Sequence, residues 1–355
     1  MEATEYKIEG GELYDEGLYG CIFTPPLKCK EGTKQQLGEA SSKDIISKLI
    51  PTSGAKLEYS ISSYIHKIPL WKNYFVVSES ICTPATIQKD KELYECPVLN
   101  DYKLSELKIL NMPFGGTPLN NYKFNMNNLD FMNFIIHFIE AGALLNIFGL
   151  VHRDIHQGNI LVDDNEVPRI IDFNLVIPVN SSVTNNKLKH KYSYITAQEP
   201  PDSTLVNAVM LGYNPEIVID SIVEKKPIIK KIRNILGITE LSMREELDEY
   251  YLKSKSAKTG DSAKWFQSNW RTIDSWAVGV NIVDLIAKFL LWPEFSNKLK
   301  YMRAKLFPVL RRLCSVSPLH RIDCVQALNK LNPNSFIIRK YGKAWLAKVG
   351  DGNII

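Results

Sequence analysis

Residues 150–174 read LVHRDIHQGNILVDDNEVPRIIDFN. The stretch holds an acidic residue, Asp154, an amide five positions later, Asn159, and a second acidic residue eighteen positions after the first, Asp172. Short apolar runs that are typical of strands separate these polar residues. A short loop that runs into a hairpin would bring Asp154, Asn159 and Asp172 to one point.

This spacing is typical of a phosphotransferase site. One carboxylate, Asp154, has to meet the acceptor hydroxyl, while the amide of Asn159 and the carboxylate of Asp172 hold Mg²⁺ on the phosphates of ATP. The full pattern specifies six residues: His152, Arg153, Asp154, Asn159, Asp172 and Phe173. At roughly 5% usage each, six such residues would coincide by chance about once in ten million starting positions or more rarely. An ordinary strand-turn-strand with polar surface residues therefore explains the pattern poorly.

The stretch resembles the catalytic loop and metal-binding loop of eukaryotic-type protein kinases. Over most of residues 8–330 the chain is most similar to the divergent serine/threonine kinases that large nucleocytoplasmic DNA viruses encode. The resemblance implies an α+β protein kinase fold of two lobes. A small, mainly β N-lobe would span 1–111, a larger helical C-lobe 112–346 and a tail 347–355, with ATP and Mg²⁺ as cofactors and a protein as substrate.

Further matches follow in the order that the family requires. Ala197-Gln198-Glu199 resembles the Ala-Pro-Glu that closes an activation segment, and residues 274–280, DSWAVGV, resemble the start of the central large-lobe helix. Arg321 is then implied as the buried ionic partner of Glu199. The gap between these matches is longer than the family needs, so we expect residues 200–269 to form a helical insertion that could bind a partner or select the protein substrate.

The resemblance also implies which residues cover the phosphates of ATP. The turn LYDEGLYGCI is similar to the glycine-rich loop of kinases, with Gly17 and Gly20 as its second and third glycines and Ile22 as the apolar residue against adenine. Glycine suits such a loop because backbone N–H groups can approach phosphate oxygens without an intervening Cβ. Asp15 stands where the first glycine is expected.

A strand predicted at 45–50 carries Lys48, which matches the lysine that contacts the α- and β-phosphates. A helix predicted at 55–68 has Glu58 near its start, and the resemblance makes Glu58 the ion-pair partner of Lys48. A plain surface glutamate is the alternative for Glu58. Three lysines of the preceding segment are alternatives to Lys48: Lys28, Lys30 and Lys34.

The adenine-binding hinge is expected at Met112, where the sequence MPFGG resembles the segment that offers backbone groups to the base. Further strands are predicted at 74–77 and 107–110 from their apolar runs. A long apolar helix is predicted at 129–149, ended by Gly149, and it delivers the chain into the catalytic loop.

Two other functions stay open at this point. His156 stands where serine/threonine kinases usually carry a lysine, and a histidine there, followed by Gly158, is also seen in small-molecule phosphotransferases of the aminoglycoside kinase type. Asp15 and Asn174 both replace glycines of the kinase pattern, which is consistent with a catalytically weak scaffold. Asparagine is the non-glycine residue that best tolerates a positive φ, so the turn at Asn174 is expected to survive.

Arg153, next to Asp154, is expected to dock a phosphate carried by the hydroxyl-rich segment 181–196. Such a phosphate would make activity depend on modification of this segment.

The composition is that of an ordinary globular protein. With 355 residues and 45% hydrophobic content, the chain is long enough for two lobes with separate cores. The formal net charge of +4 is too small to argue for nucleic-acid binding. The apolar stretch 131–151 contains Glu140 together with two asparagines and a histidine, so it is expected to be a buried helix rather than a membrane span.

The six cysteines form no C-x-x-C pair and have no histidine partner at zinc spacing. They are Cys21, Cys29, Cys82, Cys96, Cys314 and Cys324. They are therefore expected to be reduced thiols of an intracellular, cytoplasmic protein, which in a virus would mean the host cytoplasm or the virion. The acidic N-terminus also lacks the apolar core of a secretory signal.

Overall fold

The computed structural model describes residues 12–17, 20–30, 45–86, 88 and 92–352. The chain forms two compact units. The first contains the residues up to Gly116 together with Ile171–Asn174, and the second contains Thr117–Ile170 and the chain from Leu175 onward. Strands dominate the first unit and helices the second, so the predicted α+β class is confirmed.

The first unit is built on a five-stranded antiparallel sheet with the order β1-β2-β3-β5-β4. Its strands are β1 (Glu12–Gly17), β2 (Gly20–Thr24), β3 (Ile45–Pro51), β4 (Ser80–Cys82) and β5 (Leu107–Pro113). The predicted hairpin and the predicted strands at 45–50 and 107–110 are therefore present.

The strand register places three predicted nucleotide-binding residues on one face of this sheet. Lys48 lies opposite Ile22 on β2, and Met112 on β5 lies opposite Ile46, which is two residues from Lys48 on β3. Directly paired residues share a face, and so do residues two apart on a strand. Ile22, Lys48 and Met112 therefore point to the same side.

The other face of the sheet packs on an apolar cluster. Its members include Cys21, Leu49 and Ile109, which are fully buried and lie opposite one another on three adjacent strands. Gly20 is required where β2 meets β3, since a Cβ there would collide with the carbonyl oxygen of Leu49. Packing, independently of any ligand, thus explains this glycine.

Three helices complete the first unit: α1 (Thr52–Ile65), α2 (Trp71–Tyr74) and α3 (Val98–Asp101). Helix α1 begins three residues before the predicted start and buries Ile61, Ile65 and Glu58 on one face. The strand predicted at 74–77 is wrong, because residue 74 ends α2 and no strand follows it before β4. A short buried apolar run cannot by itself distinguish a strand from other buried backbone; here Phe75 packs edge-on against Phe173.

Four of the cysteines are paired, which contradicts the prediction of reduced thiols. Cys21 is bonded to Cys96, 75 residues away, and Cys29 is bonded to Cys82, 53 residues away. Cysteines so far apart in sequence cannot be paired from the sequence alone. The folded sheet brings β2 and the chain around β4 together. Disulfides persist in oxidising surroundings, so the cysteines no longer support a reducing compartment. Cys314 and Cys324 are free, as predicted, and both are buried.

The protein purified without reductant and then denatured should show two titratable thiols, those of Cys314 and Cys324. After reduction the number should rise to six, because both disulfides open. Thiol titration with and without reductant measures this. Six thiols in the unreduced, denatured protein would contradict the pairing.

The second unit holds two small antiparallel sheets. Strands β6 (Thr117–Pro118), β8 (Ile160–Val162) and β9 (Pro168–Ile170) form one sheet, and β7 (Leu150–Val151) pairs with β10 (Ile177–Pro178) in the other. The loop between β7 and β8 carries Asp154 and Asn159, so the predicted loop running into a hairpin is present.

Helices make up most of the second unit. They are α4 (Phe131–Ile147), α5 (Asn185–Leu188), α6 (Pro201–Met210), α7 (Pro215–Lys225), α8 (Pro227–Leu236), α9 (Glu240–Lys253), α10 (Lys255–Thr259), α11 (Ser262–Asn269), α12 (Ile273–Phe289), α13 (Pro293–Leu313), α14 (Cys324–Leu331) and α15 (Lys343–Val349). A π-helical turn at Ile338–Gly342 precedes α15. Within the described ranges, none of the helices combines the length and the apolar character needed to cross a bilayer.

Helix α4 is the apolar helix predicted at 129–149. Asp130 caps its first turn by accepting a hydrogen bond from the backbone N–H of Asn133 at 3.0 Å. Gly149 follows the helix with φ +67°, a conformation that favours glycine. The chain then enters β7 and the loop of Asp154.

The predicted ion pair between Glu199 and Arg321 is wrong. Nη2 of Arg321 lies 2.6 Å from Oδ1 of Asp202, and both side chains are fully buried. The other oxygen of Asp202 accepts a hydrogen bond from Nε1 of Trp265 at 2.7 Å. Glu199 instead contacts Nε2 of His190 at 2.9 Å.

The error is a shift of three residues in the sequence match. Pro201 occupies the first turn of α6, a position that favours proline, and this places Asp202 on the buried side of the helix. The buried acidic partner of Arg321 therefore lies three residues beyond the one that the sequence match assigned. Because Asp202 and Trp265 lie near the two ends of residues 201–269, this helical segment is anchored in the core of the second unit.

Replacing Arg321 by methionine should lower the free energy of unfolding by about 3 to 5 kcal/mol, because the charge of Asp202 would stay buried without its partner. Urea unfolding of the purified variant measures the change. Glu199→Gln is the matched control and should cost much less, because Glu199 is not the partner of Arg321 and its own contact is with the partly exposed His190. A larger loss for Glu199→Gln than for Arg321→Met would contradict the assignment.

Candidate active site

The first group of candidate residues lies in the first unit and is called the Lys48 cluster: Lys48, Glu58, Asp172 and Asn174. Nζ of Lys48 lies 2.9 and 3.2 Å from the two carboxylate oxygens of Glu58 and 3.4 Å from Oδ1 of Asp172. Asn174 donates a hydrogen bond to the same Oδ1 at 2.6 Å. The side chains of Lys48 and Glu58 are only 13% and 7% exposed. The predicted pairing of Lys48 with Glu58 is therefore present.

The Lys48 cluster carries two carboxylates for one ammonium. Burial by itself would lower the pKa of Lys48, but the negative charges of Glu58 and Asp172 outweigh it and leave this pKa raised. Burial also raises the pKa of Glu58, with Lys48 opposing and Asp172 adding to the shift. The two shifts thus have different main causes, the neighbouring carboxylates for Lys48 and burial for Glu58. With two carboxylates and one ammonium, the cluster has an excess of acidic groups that a bound cation would balance.

The backbone is strained at Asp172. Its φ of 61° lies in the left-handed region that non-glycine residues seldom adopt. Asn174, which was expected to need a positive φ, does not have one and instead lies in a 3₁₀ turn at Phe173–Leu175. The left-handed position therefore falls on the candidate metal ligand, two residues before the asparagine.

The alternatives to Lys48 do not join this cluster. Lys28 and Lys30 are exposed, next to the disulfide-bonded Cys29, while Lys34 falls outside the described residues. Gly17 pairs with Gly20 at the end of the β1-β2 hairpin. The backbone of Asp15 belongs to β1, and its side chain falls outside what the structure describes.

The second group lies in the second unit and is called the Asp154 cluster: Arg153, Asp154, His156, Asn159 and Gln198. Its loop is held by α12. The buried carboxylate of Asp274 accepts hydrogen bonds from the backbone N–H groups of His152 at 2.7 Å and Arg153 at 2.9 Å. From the same helix, Asn281 donates to the carbonyl of Ile155 at 2.9 Å. Burial raises the pKa of Asp274, and the two hydrogen bonds from the loop oppose that shift.

Both carboxylate oxygens of Asp154 accept hydrogen bonds from amide side chains. Nε2 of Gln198 donates to Oδ1 at 2.8 Å, and Nδ2 of Asn159 donates to Oδ2 at 3.3 Å. Asn159 also donates to the backbone carbonyl of Asp154 at 3.0 Å. These contacts fix the rotation of the carboxylate, which is the property that a base positioned against a hydroxyl needs.

His156 shapes the loop and also faces Asp154. Its Nδ1 accepts a hydrogen bond from the backbone N–H of Gly158 at 3.0 Å, so in the neutral ring the proton sits on Nε2. That Nε2 lies 3.8 Å from Oδ2 of Asp154. His156 can therefore present an N–H beside the carboxylate.

Arg153 lines a cavity of about 350 Å³ beside Asp154. Other basic residues on the cavity wall are Lys187, Lys189 and His190. Burial lowers the pKa of Arg153, which the charges of Asp274, Glu199 and Asp154 oppose. Its φ of 71° also lies in the left-handed region. The cavity is large enough for an anionic group, and the predicted docking of a phosphate from 181–196 stays a prediction.

Lys226, which sequence reasoning missed, lies at the corner between α7 and α8. Its side chain is buried, with only 1% of the residue exposed, and Nζ donates a hydrogen bond to the carbonyl oxygen of Thr196 at 2.6 Å. Burial lowers its pKa to about 8, with the negative charge of Glu199 opposing. A lysine in a segment rich in charge gives no sequence signal that distinguishes it from its exposed neighbours.

The residues present suit a hard cation such as Mg²⁺. Among the described residues no group of three or more His, Cys, Asp or Glu could hold a metal ion alone. Magnesium is usually bound by one or two carboxylates together with substrate phosphates. In the first unit, Asp172 receives these hydrogen bonds on Oδ1, which leaves Oδ2 as a suitable ligand atom. In the second unit, Asn159 donates with its NH₂ group, which leaves its amide oxygen as a suitable ligand atom.

The comparisons with known proteins add no relative. No family model matches the sequence, and no curated protein matches it. The function therefore has to be argued from the chemistry of these two clusters.

The contact between His190 and Glu199 predicts a dependence of stability on pH. The hydrogen bond that Nε2 of His190 donates to Glu199 raises the pKa of His190 above its usual value of about 6.5. A group with a raised folded-state pKa stabilises the fold fully below the unfolded pKa, and this stabilisation is lost as the pH rises through the folded pKa. The stability advantage of the native protein over His190→Gln should therefore be larger at about pH 5.5 than at about pH 8.5.

Urea unfolding of both proteins at the two pH values measures this difference. Glu199→Gln is the matched control, because it removes the carboxylate that raises the pKa of His190. In the Glu199→Gln protein, adding His190→Gln should therefore change stability by the same amount at both pH values. An advantage that grew with rising pH would show that His190 is not stabilised in its charged form.

Proposed function

We propose that this protein is an ATP-dependent protein kinase that transfers the γ-phosphoryl group of ATP to serine or threonine hydroxyls of a protein substrate. The fold in this proposal is the two-lobed kinase fold, with the five-stranded unit as the small lobe and the helical unit as the large one. The observation that carries the proposal is the Lys48 cluster, in which a buried lysine is shared between the glutamate of a helix and the aspartate of Ile171–Asn174.

Each cluster supplies a different part of such a reaction. Phosphoryl transfer needs little covalent chemistry from the protein and depends on positioning and on stabilising negative charge. Lys48 would neutralise phosphate oxygens of ATP, and Glu58 keeps its ammonium oriented. The backbone of Met112 would contact adenine, and the side chain of Ile22 would cover the base. The side chains of Met112 and Ile22 lie on the same sheet face as that of Lys48.

Asp154 would accept the proton of the attacking hydroxyl. The proton moves to a carboxylate oxygen while the hydroxyl oxygen bonds to the γ-phosphorus and the bond to the β-phosphate oxygen breaks. Arg153 places positive charge next to Asp154, and His156 turns its Nε2 toward the carboxylate. Asn159 and Asp172 would hold Mg²⁺, which when bound neutralises charge on the phosphates.

A small-molecule kinase is the second candidate, and His156 with Gly158 is the observation that favours it. The buried pair of Arg321 and Asp202 and the hydrogen bond from Trp276 to the carbonyl of Ala197, at 2.9 Å, favour a protein acceptor, because they fix the chain segment beside Asp154. Assays with protein acceptors and with aminoglycosides distinguish the two candidates.

The experiment is transfer of radiolabelled phosphate from ATP, with Mg²⁺, to generic protein acceptors. Asp154→Asn should lower the transfer rate by roughly 100- to 10,000-fold, the usual loss of a general base, while Mg-ATP affinity stays nearly intact. Asp172→Asn should instead weaken Mg²⁺-dependent nucleotide binding. Asparagine is chosen at both positions because it preserves shape and, at position 172, tolerates the left-handed backbone.

Calorimetry with ATP, with and without Mg²⁺, provides the binding measurement. Equal Mg-ATP affinity of the two variants would show that the roles of Asp154 and Asp172 are wrongly assigned. Native protein that neither binds Mg-ATP nor labels any acceptor would reject the proposed function, and labelling of aminoglycosides alone would favour the second candidate.

A further inference from the structure

The four residues Thr196 to Glu199, here called the tether segment, are each held by a different element of the second unit. Lys226 donates to the carbonyl of Thr196 at 2.6 Å, and Trp276 on α12 donates to the carbonyl of Ala197 at 2.9 Å. Gln198 reaches Asp154 at 2.8 Å, and Glu199 contacts His190 at 2.9 Å. The tether segment therefore connects the helical region 201–269 to the loop of Asp154.

Lys226 is costly for the fold if it serves packing alone. Moving an ammonium out of water is unfavourable unless it is paired with a carboxylate, and among the described residues Lys226 forms no ion pair within 4.0 Å. An unbranched apolar side chain of similar length, such as methionine, would fill the same space without that cost. Stability does not explain the ammonium, whereas its bond to Thr196 does.

We propose that Lys226 is a positioning residue for Asp154, acting through Thr196 and Gln198. Its bond to the carbonyl of Thr196 sets the position of the tether segment, and that position brings the Gln198 amide onto Oδ1 of Asp154. The inference rests on the proposed function, since it assigns to the helical region 201–269 control over the orientation of the proposed base.

The orientation of Asp154 depends on this contact because, within the described part of the chain, the amides of Gln198 and Asn159 are the side chains that hydrogen-bond to the carboxylate. With Gln198 on Oδ1 and Asn159 on Oδ2, the carboxylate plane is fixed. Without Gln198, Oδ1 loses its donor from the tether segment and the carboxylate can rotate away from an incoming hydroxyl. A base that is misoriented loses rate rather than nucleotide affinity.

The test is Lys226→Met, with Lys225→Met as the matched control because Lys225 is the exposed neighbour. Lys226→Met should lower kcat by roughly 10- to 100-fold, the loss typical when a residue that orients a functional side chain is removed. KM for ATP should not change, and the melting temperature should stay equal or rise. Lys225→Met should match the native protein in all three measurements.

A double-mutant cycle with Gln198→Leu separates positioning from a general structural role. If Lys226 acts through Gln198, the loss in kcat for the double variant should equal that of Gln198→Leu alone. Additive losses, an unchanged kcat in Lys226→Met, or a fall in melting temperature that accompanies the loss would overturn the proposal. If Lys226→Met does not fold, Lys226→Arg and Gln198→Leu replace it in the test. Lys226→Arg keeps a hydrogen-bond donor and must retain most of kcat, whereas Gln198→Leu must lose most of kcat.

A measurement that needs no activity keeps the inference distinct from the proposed function. In protein labelled with ¹⁵N-glutamine, the side-chain amide signal of Gln198 is identified by its loss in Gln198→Glu. This signal should move in Lys226→Met and stay in place in Lys225→Met. If the native protein transfers no phosphate, the proposed function fails while this signal still decides whether Lys226 positions Gln198; an unmoved signal would reject the coupling.

Discussion

The buried carboxylate of Asp274 organises the Asp154 cluster of the second unit. It accepts hydrogen bonds from two consecutive backbone N–H groups, those of His152 and Arg153, just before Asp154. A buried carboxylate needs such donors, and consecutive buried N–H groups need such an acceptor, so each satisfies the other. The loop is therefore positioned by the helix that carries Asp274, and Asn281 on the same helix secures the carbonyl of Ile155.

The site concentrates features that the fold alone would not favour. Arg153 and Asp172 are two of the four non-glycine residues with a positive φ in the described part of the chain, and both belong to the candidate clusters. Such conformations cost of order 1 to 3 kcal/mol each and persist where the surroundings hold them in place. Lys226, a buried ammonium with no carboxylate oxygen within 4.0 Å among the described residues, adds to this group. Unfavourable backbone conformations and buried charges of this kind are expected where side chains are held in position before a ligand binds.

The sequence predicted the parts of the site that depend on local spacing. The hairpin, the strand of Lys48, the helix of Glu58 and the loop between Asp154 and Asn159 all follow from short-range patterns, and the structure contains them. These elements are set by the alternation of apolar residues and by turn residues, both of which can be read within about ten positions.

The parts that failed depend on contacts between distant residues. The partner of Arg321 was misplaced by three residues, because Glu199 and Asp202 are both acidic and only burial distinguishes them. The cysteines could not be paired, because their separations of 53 and 75 residues carry no signal. Gln198 and Lys226 were missed because an amide and a lysine acquire their roles from what lies opposite them in space.

The two disulfides of the first unit have a consequence for its covalent connectivity. Cys29 and Cys82 enclose the strand of Lys48 and the helix of Glu58, and Cys21 and Cys96 lie outside that interval on either side. A peptide bond broken anywhere between Cys29 and Cys82 therefore yields two fragments that two covalent bridges still join. The chain that carries Lys48 can therefore be cleaved in this interval without either fragment dissociating.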